Sequence, residues 1–232
     1  MHLMKEKFVT TKNVRKFQMA VHRVNHKLRG VERMALVTGE IGLGKTEAAT
    51  WYSAHNGAVM LNIWPRMSQH WLLRALVWEL GMEPGWRPEK LIEQIKGRLL
   101  ARPRTIIFDE IDHLFRDSGS GRVDTLETIR KVHDVCHCPV VLIGEEWVDK
   151  KMSKFPRIDD RIVERVRFEK FDLSDVKQII GELSDSKFEG DAVEKITQES
   201  GGRFRPIMSL IHAAEERARV NQLRSIGVKD LG

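Results

Sequence analysis

The sequence predicts an α/β protein, a phosphate-loop core on a mostly parallel sheet followed by a small helical unit. Three observations predict it. Short apolar runs alternate with amphipathic helical segments through most of the chain, the glycine-rich turn "GEIGLGKT" joins one such run to a helix, and strand-like runs stop before residue 172.

The elements follow in order. Val14, Phe17, Val21, Val24 and Leu28 recur at helical spacing, beside or opposite Arg15, Lys16, Arg23 and Lys27, and Thr10, Thr11 or Asn13 is placed to cap that helix. "MALVT" (34–38) reads as a buried strand, and "KTEAATWYSAHN" (45–56) as a helix ending at Gly57. "AVMLNI" (58–63) is a second strand. "SQHWLLRALVWELG" (68–81) and "RPEKLIEQIKGRLLA" (87–101) are amphipathic helices, the second with Pro88 suited to a first turn. "RTIIFDE" (104–110) is a third strand, "RVDTLETIRKVHDVC" (122–136) a helix and "PVVLIGE" (139–145) a fourth strand. After "RVRFEKF" only helical segments are expected, at 174–185, 190–201 and 205–222, the last with Ile207, Leu210, Ile211, Ala214 and Ala218 on its buried face. The expected boundary separates a core of 1–171 from a helical lid of 172–232. Trp64, Trp71, Trp78 and Trp86 read, on their spacing, as core or subunit packing in preference to a base-stacking row.

Composition narrows the class. A chain of 232 residues, 41% hydrophobic and 31% charged, is globular and large enough for a good core. No apolar run is long enough to cross a bilayer and the first residues lack a secretory pattern, so a cytoplasmic protein without a membrane partner is expected. The two cysteines, Cys136 and Cys138, read as a buried thiol pair. Residues 1–38 hold nine Lys or Arg against two Glu, while the whole chain carries only +6. The basic excess therefore lies at the N-terminal end, as a solvated helix face or as a surface for a polyanion.

The strongest chemical signal is Gly39-x4-Gly44-Lys45-Thr46 between a strand and a helix. Glycines let backbone N–H groups turn inward around phosphate oxygens, the helix start adds positive potential, Lys45 reaches the outer phosphates and the Thr46 hydroxyl can ligate Mg2+. Gly39, Glu40, Ile41, Gly42, Leu43, Gly44, Lys45 and Thr46, with Glu47 in the first helical turn, form the expected nucleotide cradle. A phosphate loop requires an acidic residue at the end of a neighbouring buried strand. "TIIFDE" supplies Asp109 to hold Mg2+ and Glu110 to orient and deprotonate a water, which favours hydrolysis of ATP to ADP and phosphate over transfer to a small acceptor.

With the loop, the Asp109-Glu110 strand and the helical C-terminal segment together, the chain resembles the AAA+ ATPases. The resemblance implies an arginine finger at Arg161 in "PRIDDRIVERV", with Arg157 and Arg165 as neighbours, and a lid arginine at Arg205, or else Arg203, in "GGRFRPIMSL". Glu145 stands where that family carries an uncharged polar sensor, which implies slow hydrolysis. "TKNVRKF", "NIWPRMSQHWLLRALVWELG" and "DEIDHLF" are similar to segments of the target-selecting ATPases of DNA transposition. That family implies ATP-dependent self-association, as a helical oligomer or ring, on double-stranded DNA of any sequence. It also implies a transposase partner, hydrolysis stimulated by DNA or that partner, and a bacterial cell or phage-infected host. No room is expected for a helix-turn-helix domain ahead of the core, so DNA contacts fall to Arg15, Arg23, Arg66, Arg116 and Arg122. The alternatives are an initiator or helicase-loader ATPase acting on a replicative helicase, and a phosphate-loop kinase.

Overall fold

The structure, a computed structural model, describes residues 8–26, 31–115 and 120–231, the last stretch with side chains from 124 onward. It divides into two compact units, one of Lys16–Gly39 and Lys45–Arg167, the other of Met1–Arg15, Glu40–Gly44 and Phe168–Gly232.

The larger unit is built on five parallel strands, β1 (Met34–Gly39), β2 (Val59–Asn62), β3 (Ile106–Asp109), β4 (Val140–Glu145) and β5 (Ile162–Arg167), in the order β2-β3-β4-β1-β5. Every residue of β1 and β3 is buried, as are the first five of β4, so these central strands are covered on both faces and read as continuous apolar runs. β5, absent from the sequence expectation, is an edge strand that alternates buried Ile162 and Val166 with the more exposed Glu164, Arg165 and Arg167. Charges on a sheet edge discourage further pairing, and they also hide a strand from a search for apolar runs.

α1 (Lys12–Asn25) buries Val14, Phe17, Ala20, Val21 and Val24, and the Thr11 hydroxyl accepts from Val14 N at its start. α2 (Lys45–Asn56) begins where the glycine turn ends. α3 (Gln69–Glu79) is capped by Ser68, whose hydroxyl accepts from Trp71 N, and α4 (Pro88–Ala101) starts on its proline. α5 (Ser120–Cys136) precedes β4, and the short helices α6 (Val148–Met152) and α7 (Pro156–Asp159) lead into β5. Leu72, Leu76, Leu91, Ile95, Phe108 and Leu142 are fully buried in the main core. The tryptophan expectation needs correction as regards core packing. Trp64, Trp71, Trp78 and Trp86 are 55, 61, 68 and 85% exposed; Trp71 and Trp78 stand on the outer side of α3, whose inner face is filled by Leu72, Leu73, Leu76 and Val77. Cys136 and Cys138 are free and buried, as the sequence suggested.

The smaller unit packs α8 (Leu173–Leu183), α9 (Gly190–Ser200) and α10 (Phe204–Val220) around Ile179, Ile196, Ile207, Ile211 and Ala214. Asp172 caps α8 by accepting from Ser174 N and Asp175 N, while its own N–H donates to the Asp175 carboxylate. Lys12 pairs with both acids at 2.8 and 2.7 Å, and with Ser174 it holds the Asp172 carboxyl well below the usual carboxylate range. The expectation of helices alone is corrected by a two-residue parallel pair, β6 (Lys187–Phe188) with β7 (Ser225–Ile226), too short to leave a period-two pattern. No helix among the described residues is long and apolar enough to cross a membrane.

Candidate nucleotide site

Parallel strands bring their C-terminal ends to one edge of the sheet. Gly39 ends β1, Glu145 pairs with it at the end of β4, and Asp109 ends β3 on the far side of β4. With strands about 4.8 Å apart, a loop leaving β1 starts within about 10 Å of a carboxylate two strands away. Parts of the chain 70 residues apart in sequence therefore meet at one place.

The turn after β1 has the backbone that its glycines anticipate. Gly42 and Gly44 both have φ of +84°, a region costly for a residue with a Cβ. Lys45 and Thr46 open α2, so the first N–H groups of that helix lack intrahelical acceptors and face the turn. The half-buried Lys45 ammonium donates to Gly39 O at 2.7 Å. Burial lowers its pKa, and the fields of Asp109, Glu145 and Asp112 oppose that lowering. Glu40, Ile41 and Glu47 are exposed, whereas Leu43 is buried.

Asp109 is buried. Its Oδ1 accepts from Glu110 N at 2.8 Å and the Thr46 hydroxyl hydrogen-bonds its carboxylate, yet Oδ2 has no partner among the described residues. A buried carboxylate oxygen without a donor is costly, and desolvation raises the pKa of the group despite Thr46 and Lys45. A hard cation beside Thr46 and Asp109 satisfies that oxygen, so the residues present fit Mg2+. The pKa shift also has a stability consequence. A carboxyl whose pKa is raised by folding binds its proton more tightly in the folded state, so stability falls as pH rises through the raised value and is recovered below the ordinary carboxylate range. Asp109→Asn is therefore expected to leave the melting temperature of the nucleotide-free protein equal or higher at neutral pH, and to abolish the rise with Mg2+ expected of the unsubstituted protein. Thermal melts of both proteins at pH 7 with and without Mg2+ check this.

Glu110 has φ 57° and ψ 36°, left-handed backbone that is uncommon for glutamate. Its carboxylate is about half exposed and lies 3.7 Å from His113 Nε2. The sequence carried no signal for this geometry. Glu145 is held in place by Trp147, whose indole N–H donates to Oε2 at 3.0 Å.

The arginines are placed differently from one another. Arg161 is engaged within the chain, its guanidinium donating to both oxygens of Asp134 at 3.1 and 3.3 Å and to Arg157 O at 2.8 Å. The Asp134 contact raises the Arg161 pKa. Arg165 pairs with Asp149 and Asp159. The Arg157 side chain is exposed, with no partner among the described residues. In the smaller unit, Phe204 N donates to Gly42 O at 2.7 Å, and the Arg203 side chain lies 3.8 Å from where a Cβ on Gly42 would stand. Arg205 is exposed in the first turn of α10. It is Arg203 whose side chain reaches the turn. Among the candidate DNA contacts, Arg15 and Arg66 are exposed and Arg23 pairs with Glu164 at 3.1 Å. Arg116 and the Arg122 side chain lie outside the described residues.

Comparison with known proteins agrees with this geometry. The AAA domain family matches residues 28–152. The chain is 32% identical over 157 residues to the ATP-dependent target DNA activator B of Escherichia phage Mu, a match covering 64% of this chain and 48% of that protein. It is 25% identical over 158 residues to the ORC1-type DNA replication protein 3 of Haloarcula marismortui, covering 62% and 42%. The chain thus spans about half the length of these relatives or less. Among solved structures it resembles the Aeropyrum pernix ORC2 protein in its ADP form, with TM-score 0.68, 18% identity and coverage of 99% of this chain and 69% of that one. It also resembles the Aeropyrum pernix ORC1 protein in complex with DNA, with TM-score 0.65, 16% identity and coverage of 99% and 64%. Sequence match, strand order and loop geometry agree, and the chain belongs to the AAA domain family, within which it resembles the target-selecting ATPases of DNA transposition.

Proposed function

We propose that the protein is an ATP-dependent DNA-binding ATPase that assembles on double-stranded DNA and engages a transposase there. The observation that carries this reading is the coincidence, in one chain, of the Lys45–Asp109 site with 32% identity to a target DNA activator.

Each residue has a task. The backbone of Gly39 to Gly44 and the start of α2 cradle the phosphates, and Lys45 exchanges its bond to Gly39 O for the outer phosphates. Thr46 and Asp109 would hold Mg2+, which when bound neutralises charge on the phosphates. Glu110 orients a water and takes its proton. Glu145, so close to Lys45 that its field acts on that ammonium, places a negative charge near the phosphate site and fits slow basal hydrolysis. A lid arginine, Arg205 in the family resemblance or Arg203 by its approach to Gly42, senses the outer phosphate.

Arg161 serves as a finger for a neighbouring subunit, exchanging Asp134 for phosphate when subunits meet. DNA contacts come from Arg15, Arg23 and Arg66, together with Arg116 and Arg122, by neutralising backbone phosphates without reading bases. Arg161→Ala is expected to leave nucleotide affinity intact and to lower DNA-stimulated phosphate release at least about 100-fold. Loss of stimulation in Arg157→Ala with Arg161→Ala unaffected would move the finger to Arg157.

The helicase-loader reading keeps the same nucleotide site and changes only the partner. It is supported by the similarity to an ORC1-type replication protein. Pull-down with a transposase against a replicative helicase encoded beside the chain separates the two.

A further inference from the structure

A cavity of 790 Å3 opens at the other end of the sheet from the phosphate loop. It lies where the C-terminal half of α1, the end of α2 and the segments entering β1, β3 and β4 meet. Its volume is that of a site for a nucleotide-sized ligand.

The lining is one-sided in charge. Arg23, Arg33 and Arg104 line it beside the imidazoles of His22 and His26, and no carboxylate does so among the described residues. Two of these cations have structural tasks. Arg33 donates to the carbonyls of Val24, Asn25 and His137, and Arg23 pairs with Glu164. Arg104 is different. Its Nε donates to Gly57 O, and its terminal nitrogens have no partner among the described residues. Burial and then the fields of Arg102 and Arg98 lower its pKa, against the opposing field of Glu79, so like charges stand near this cation. An anion at Arg104 relieves that repulsion and accepts from the uncommitted nitrogens.

The same cavity offers aromatic faces. Trp51 stacks on His55 with ring centroids 4.2 Å apart, and His22 stacks on His26 at 4.0 Å. Tyr52 is fixed by Asn25, whose amide donates to the phenol oxygen at 2.9 Å and whose carbonyl accepts from the Thr105 hydroxyl at 2.8 Å. This network ties α1, α2 and the entry to β3 together, so the cavity is organised before any ligand arrives. α2 carries Lys45 at its first position and Trp51 and Tyr52 toward its end, so one helix joins the phosphate loop to the cavity.

We propose that this cavity binds a nucleotide unit, with its phosphate on Arg104 and its base against the Trp51 ring, as a site separate from the phosphate loop. The shared chemistry, a phosphate ester carrying a base, comes either from a free nucleotide or from a nucleic-acid strand. The test uses the full chain with Lys45→Ala, which removes the main side-chain contact of the phosphate loop, and calorimetric titration with AMP and with the 5′-phosphorylated thymidine dinucleotide. Saturable binding is expected. Adding Arg104→Gln is expected to weaken it about tenfold, the scale of one charge-assisted hydrogen bond, and adding Trp51→Ala by a similar factor. Binding of AMP assigns the site to free nucleotides, and binding of the dinucleotide alone assigns it to a strand. Either result with dependence on Arg104 supports the proposal. No binding of either probe by the folded chain, shown folded by circular dichroism, overturns it, as does binding indifferent to both substitutions. ATP titration of Arg104→Gln with Lys45 intact reports on the phosphate loop separately, so failure at one site is not mistaken for failure at the other.

Discussion

Alanine at Lys45 is expected to weaken ATP binding by about 100-fold or more. The ammonium is half buried beside Asp109, Asp112 and Glu145, and its donor bond to Gly39 O keeps it at the base of the turn. Without it, three carboxylates remain near the phosphates with no neighbouring side-chain cation from α2 to offset them, so the loss includes repulsion as well as a missing contact. The fold is expected to persist, because the β1 and β3 cores do not depend on this side chain. Equilibrium binding of a non-hydrolysable ATP analogue, with circular dichroism on the same samples, checks both statements. Wild-type affinity in the alanine variant would remove the phosphate-loop assignment.

Glu110→Gln is expected to bind ATP as the wild type does and to release phosphate about 100- to 1,000-fold more slowly. The amide keeps the size of the side chain and the left-handed backbone at φ 57°, but it cannot take a proton from water. The carboxylate is about half exposed, so a water has access to it, whereas the neighbouring Asp109 is buried and committed to Thr46 and Glu110 N. In the proposed function these two adjacent acids take separate tasks, in keeping with their different surroundings. Single-turnover phosphate release beside equilibrium binding separates the tasks. Equal loss of binding in Lys45→Ala and Glu110→Gln would contradict the role of Glu110 as a base.

The central strands and the turn between β1 and α2 were legible because their signals are local. Apolar runs mark strands buried on both faces, and Gly39, Gly44, Lys45 and Thr46 are adjacent enough in sequence to declare the loop. β5 was not legible, since an edge strand carrying Glu164, Arg165 and Arg167 looks like a charged loop. Core packing of Trp71 and Trp78 was the half of the expectation that failed, because helical spacing says which residues share a face but not which face turns inward. Leu72, Leu73, Leu76 and Val77 decide that. The strained Glu110 backbone, the unpartnered Asp109 oxygen and the Arg161–Asp134 pair depend on atoms brought together by folding, and no spacing in the sequence encodes them. The cavity beside Arg104 was invisible for the same reason, its lining coming from five separate stretches of chain.

Under the proposed function, nucleotide state controls assembly on duplex DNA through phosphate contacts. On that reading one chain neutralises few phosphates and binds weakly, whereas subunits joined across a bound ATP sum their contacts along the duplex. The direct measurement is a salt titration of binding to duplexes of unrelated sequence with ATP, with ADP and without nucleotide. Cooperative binding is expected that is tightest with ATP, falls steeply with added salt and is alike for all sequences, with Arg15→Ala and Arg66→Ala weakening every duplex equally. Salt-insensitive binding, a strong preference for one sequence, or the same affinity in all three nucleotide states would contradict it.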